Sequence, residues 1–202
     1  MKKFITLALA LCLALSASVF ASAAEVNADG GSGSTPVYLS STEDGTLEGD
    51  PSATAMSVTV PTALPMAMSQ TGDVTTADNC QIINNSYGAV RVKSVSITTA
   101  NGWRLTSFGD KSTLASEKVD SNKLGFALSI GGGTQVVTDT SDESSQYLIS
   151  APISGCYMSG IGNTSGNAVS VDYEAIVTPL SSAVTNANIA NVVFVIEWDT
   201  AA

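Results

Sequence analysis

Between Met56 and Trp198, apolar and polar residues alternate in several short blocks with a period of two, and no stretch sustains a helical period. Met56, Val58 and Val60 alternate with Ser57 and Thr59; Pro61 and Pro65 then confine the chain to an edge or a turn. Leu124, Phe126, Leu128 and Ile130 alternate with small or polar residues until Gly131-Gly132-Gly133 ends the run, which reads as a flexible turn. Val169, Val171, Tyr173, Ala175 and Val177 share one face, with Ser170, Asp172, Glu174 and Thr178 on the other, as in an antiparallel sheet with one wet face. Val192–Ile196 is apolar on both faces and predicts a central strand.

One strand carries a phase error. Val90 and Val92 lie on one face and Val95 and Ile97 on the other, so the pattern slips at Ser94 and predicts a β-bulge there. Shorter strands are expected at Cys80–Ile83, Trp103–Thr106 and Gln146–Ser150, and turns at Thr71-Gly72-Asp73, Asn101-Gly102 and residues 160–166. Seven to nine short strands predict an all-β fold, a single antiparallel β-sandwich of immunoglobulin-like or jelly-roll type, over residues 56–202. The strand order does not follow from the pattern.

The segments before this domain have a different character. Met1-Lys2-Lys3, the apolar run Phe4–Leu15 and Ala21-Ser22-Ala23 have the order of a signal peptide over residues 1–23, with cleavage expected before Ala24. The apolar run is short for a membrane span, which takes about 20 residues, and no later run approaches that length. No lipidation or sorting motif is present, so any attachment to the cell surface is expected to be non-covalent. Residues 24–55 are acidic and rich in Gly, Ser and Thr and read as a flexible arm. Val37-Tyr38-Leu39 within it could add a strand to a neighbouring molecule or pair within its own domain.

Composition narrows the chemistry. The chain has 8 Lys and Arg against 18 Asp and Glu, a net charge of −10, which becomes −12 without Lys2 and Lys3. This surface repels nucleic acid and anionic lipid. There is no histidine, which removes Ser-His-Asp catalysis, His-ligated metals and the usual activator of a catalytic thiol. No cofactor is expected. Calcium has two candidate clusters, Asp73 with Asp78 and Asn79, and Asp139 with Asp142 and Glu143, neither spaced as an EF-hand. The remaining catalytic device is a carboxylate pair, as in glycoside hydrolysis. Its candidates are Asp172, Glu174, Glu197 and Asp199, which read more simply as a solvated outer face.

Cys80 and Cys156 remain after the signal peptide; they either pair as a disulfide or stay as two separate buried thiols. Among the aromatic residues Trp103, Trp198, Tyr87, Tyr147 and Tyr157, the candidates for stacking on sugar rings are Trp103 and Tyr87, since Trp198 continues the apolar face of Ile196. Asn84-Asn85-Ser86 and Asn163-Thr164-Ser165 read as turn residues.

The succession Val58-Thr59-Val60-Pro61-Thr62, Ile83-Asn84-Asn85-Ser86, Asn101-Gly102-Trp103 and Val193-Phe194-Val195-Ile196-Glu197-Trp198-Asp199 resembles secreted β-sandwich surface proteins of Gram-positive gut bacteria. The resemblance covers most of residues 56–200 and implies an extracellular structural or adhesive role without catalytic residues. The chain departs from wall-binding domains with repeated Trp-x-Leu signatures and from camelysin-type fibre proteins. The expectation is therefore a secreted, non-enzymatic protein whose partners are itself, other surface proteins, or cell-wall or host glycans. A carbohydrate-binding module is the alternative, and a two-carboxylate hydrolase a remote one.

Overall fold

The computed structural model describes residues 24–34, 55–162 and 166–200. The described residues form a nearly all-β molecule with fourteen strands in chain order. They are β1 (Ala24–Val26), β2 (Ser32–Ser34), β3 (Val58–Val60), β4 (Met66–Met68), β5 (Val74–Thr76), β6 (Gln81–Asn84) and β7 (Val90–Thr99). After these come β8 (Arg104–Leu105), β9 (Lys123–Ile130), β10 (Val136–Val137), β11 (Ser145–Ile149), β12 (Tyr157–Met158), β13 (Ala168–Val177) and β14 (Ala190–Trp198). One helical turn, α1 (Lys111–Ala115), follows β8 and is N-capped by Asp110.

Twelve of these strands build two sheets that are not closed into a barrel, more than the seven to nine that the alternation predicts. The seven-stranded sheet runs β1-β3-β6-β13-β9-β10, with β8 also on β9; the five-stranded sheet runs β11-β7-β14-β2, with β12 also on β7. The additional strands are two or three residues long, too short to show an alternation. Pairing is antiparallel except for the two-residue contact of β8 with β9. β4 and β5 form a separate hairpin around Thr71-Gly72-Asp73, as the turn residues predict.

The inward faces of both sheets share one core, in which Val58, Ile82, Leu128 and Val171 of the larger sheet join Val90, Val95, Ile97, Phe194 and Ile196 of the smaller. Phe126 and Tyr173 stack with ring centroids 6.0 Å apart. The predicted bulge is present. Val195 pairs with Ser94 and Ile196 with Val92, so Lys93 is the extra residue and all four of Val90, Val92, Val95 and Ile97 are buried. β14 lies between β7 and β2, which explains its apolar character.

Three expectations change. First, the initial part of the arm is not a free tether. β1 pairs with β3 at the edge of one sheet and β2 with β14 at the edge of the other. Edge pairing uses backbone groups and needs no apolar side chain, so a Gly/Ser composition conceals it. Residues 35–54, with Val37, Tyr38 and Leu39, lie outside the described residues, as does the expected signal peptide 1–23.

Second, the triple glycine forms the expected turn, closed by the Gly133 N–H on the Ile130 carbonyl, but it is also a tight crossing. A Cβ on Gly133 would lie 2.1 Å from the Ser154 carbonyl oxygen, and one on Gly155 would lie 1.9 Å from that of Ile130. Third, β9 is buried on both faces, because the segment following β8 crosses it at Gly125. A Cβ there would meet the Ile176 side chain at 2.7 Å and the Ser107 carbonyl oxygen at 2.9 Å. Buried Thr138 ties this crossing, accepting from the Phe126 N–H and donating to the Thr106 carbonyl. No helix among the described residues is long and apolar enough to cross a membrane.

Candidate functional site

Pairing on β7 decides which side chains share its outer face. Val90, Val92, Val95 and Ile97 point into the core, so Arg91, Ser94, Ser96 and Thr98 point outward. β11 and β12 flank β7 on the side away from β14, with Tyr147 opposite Ser96 and Tyr157 opposite Arg91. Residues opposite one another in an antiparallel pair share a face. Both tyrosines therefore stand on the outer face, 74% and 46% exposed. Across β7, Val193 and Val195 of β14 are opposite Ser96 and Ser94 and are only partly covered.

The charges on this face are internally matched. Arg91 Nε donates to Glu197 Oε1 at 2.8 Å and its terminal nitrogen lies 3.5 Å from Asp199, while Lys93 Nζ is 3.1 Å from Glu197 Oε2. Partial burial pushes the Glu197 carboxyl up, but the hydrogen bonds from Arg91 and Lys93 outweigh it and hold its pKa below the usual range. Lys93, the extra residue of the bulge, reaches this carboxylate from the exposed side of the strand.

The two stacking candidates read from sequence do not come together. Tyr87, 54% exposed, precedes β7, where the Ser86 carbonyl accepts from Ile161 N–H beyond β12. Trp103 follows β7 and is half-buried against the core, behind the Asn101-Gly102 turn, where both residues have positive φ. The ten residues of β7 separate them by roughly 30 Å at strand rise, so they cannot line one site. Tyr87 does lie beyond the Tyr157 end of the face, and Trp198 packs against the core. The face is carried by Tyr147 and Tyr157; the period-2 pattern names them as aromatic but not as neighbours, because they meet only through β7.

The other candidates resolve individually. Cys80 and Cys156 are free thiols. The Cys80 carbonyl accepts from Val171 in the larger sheet and that of Cys156 from Val92 in the smaller, so a disulfide between them would have to bridge different sheets, and the alternative of two separate thiols is the one observed. Burial pushes both thiols above the usual range, which makes them poor nucleophiles.

The calcium clusters do not converge. Asp73 is paired with Lys111 and Glu143 with Arg104, while Asp139 and Asp142 accept from amides of their own loop. Hydrogen bonds from Ser141 and Ser144 lower the pKa of the latter two. Among the described residues no group of three or more Cys, Asp or Glu is placed to hold a metal ion.

Of the carboxylates considered for hydrolysis, Asp172 and Glu174 border a shallow hollow with Asp78 and Gln135 on the larger sheet. Glu197 and Asp199 are held by Arg91 on the smaller sheet. Asn84 is fully buried; its side-chain oxygen accepts from the Ser86 N–H, as a turn residue's does, and its amide also donates to the Gly88 and Ser159 carbonyls, so it pins two loops as well. Asn163–Ser165 lies outside the described residues. Comparison with protein-family models, curated proteins and solved structures gives no match for this chain.

Proposed function

We propose that this chain is a secreted, non-enzymatic bacterial surface protein with a structural and adhesive role, which associates with copies of itself through its first two strands. The observation that carries this reading is the clip formed by β1 and β2, the outermost strands on one side of both sheets. Each is three residues long. The clip caps polar groups that would otherwise be open: Ile196 N–H donates to the Gly31 carbonyl and Trp198 N–H to Asp29 Oδ1 at 2.7 Å. An edge capped by so short a strand accepts the same strand from a neighbour with the same hydrogen bonds.

Cleavage before Ala24 would make β1 the start of the mature chain. The absence of histidine and the engagement of Glu197 and Asp199 by Arg91 support a role in binding rather than catalysis.

Light scattering of residues 24–202 beside residues 35–202 tests the proposal. The expected result is a mass that rises with concentration for the longer chain and a monomer for the shorter, with association blocked by added 24–34 peptide. A monomer for both chains at every concentration would overturn self-association.

A further inference from the structure

The tyrosine face carries an inference of its own. It rests on the secreted, adhesive reading above and names the ligand. Tyr147 and Tyr157 stand on the same side of β7 at positions opposite Ser96 and Arg91. Five steps along β7, one of them absorbed by the bulge at Lys93, separate them by roughly 13 Å at strand rise. The phenol rings thus form a row parallel to the strand, with Tyr87 beyond one end. The floor between them comprises Ser94 and Ser96, whose hydroxyls can donate and accept, and beyond these the partly covered Val193 and Val195.

The charges narrow the occupant. Both cations on the face, Arg91 and Lys93, already have carboxylate partners, and the molecule as a whole carries a large net negative charge. An anionic polymer would meet no free cation on this face and a repulsive field around it. An uncharged chain bearing many hydroxyls, with apolar ring faces spaced along it, fits the arrangement: rings stack on the tyrosines while hydroxyls meet the serines and the Arg91–Glu197 pair. The row is straight because it follows a strand, which suits an extended, β-1,4-linked pyranose chain better than a coiled α-linked one.

We infer that the outer face of the five-stranded sheet, along the Tyr147–Tyr157 row, binds an uncharged β-1,4-linked polysaccharide.

Affinity electrophoresis of residues 24–202 in gels containing hydroxyethylcellulose, glucomannan or neutral xylan tests this, with soluble starch and polygalacturonate as contrasts. The expected result is retardation by at least one of the three β-1,4-linked polymers and none by the contrasts. Tyr147→Ala and Tyr157→Ala should each weaken retardation at least ten-fold, while Tyr147→Phe, which keeps the ring, retains most of it. Both positions are exposed, and unchanged melting temperatures confirm that the variants fold.

Retardation by none of the three polymers, or retardation that survives both alanine substitutions, overturns the inference. So does a fall in solution mass on Tyr147→Ala without any change in retardation, which would make the face a contact between copies. Retardation and mass are separate readouts, so loss of sugar binding and loss of clip-driven assembly are distinguishable.

Discussion

At the residue scale, long-range closure gives several side chains roles that their neighbours in sequence conceal. Glu197 carries the most testable of these. Its folded pKa is depressed by Arg91 and Lys93, so its contribution to stability is full above the ordinary glutamate value of about 4.3. That contribution is lost as pH falls through the lower folded value. Glu197→Gln should therefore cost about 1 kcal/mol or less at pH 7, the scale of a partly exposed ion pair. It should also flatten the fall in melting temperature between about pH 5 and pH 3. A pH profile parallel to that of the unsubstituted protein would show that the pairing contributes nothing. The i, i+2 spacing of Glu197 and Asp199 was legible as a charged outer face; their cationic partners, more than a hundred positions away, were not. The turn chemistry of Asn84 was legible for the converse reason, since Ser86 is two residues away, while its bond to the Ser159 carbonyl, 75 residues further on, was not.

At the scale of elements, legibility follows from whether a strand's side chains or its backbone hold it in place. β7, β13 and β14 bury one face or both, so their alternation and even the slip at Ser94 could be read directly. The bulge gives an unusual expectation for deletions. Removing Lys93 leaves Val92 and Val95 in a continuous alternation, so that variant should fold, with a loss of about 1 kcal/mol or less from its ion pair. Removing Ser96 places Val95 beside Ile97 and forces part of the strand's apolar set outward, which should abolish cooperative melting. Equal damage from the two deletions would mean that the bulge does not set the register. β1, β2, β10 and β12 left no pattern, because two or three residues held by ladder hydrogen bonds have no period to display. The candidate site suffered from the same gap. Its tyrosines lie on β11 and β12, which are joined through β7, and the turn before Trp103 does not reveal that this ring is half-buried against the core.

For the whole molecule, the division into two sheets separates the thiols and sets how the protein responds to redox conditions. Reductant should leave the melting temperature unchanged. A thiol reagent should modify half-buried Cys80 in the native state, whereas fully buried Cys156 reacts only after unfolding. A melting temperature that drops on reduction would show a disulfide and a different relation between the sheets. The layered all-β class was readable from the sequence; the order of strands was not, because it depends on which distant backbones meet. That order has a kinetic side. β14, nearly the last segment of the chain, lies between β7 and β2, which is among the first. The five-stranded sheet therefore stays open at its centre until β14 joins β7 to β2. Its ladders join residues far apart in the chain, which places the molecule among slow folders. A chain interrupted before β14 would thus expose the open edge of β7, a template on which a strand of another molecule can add.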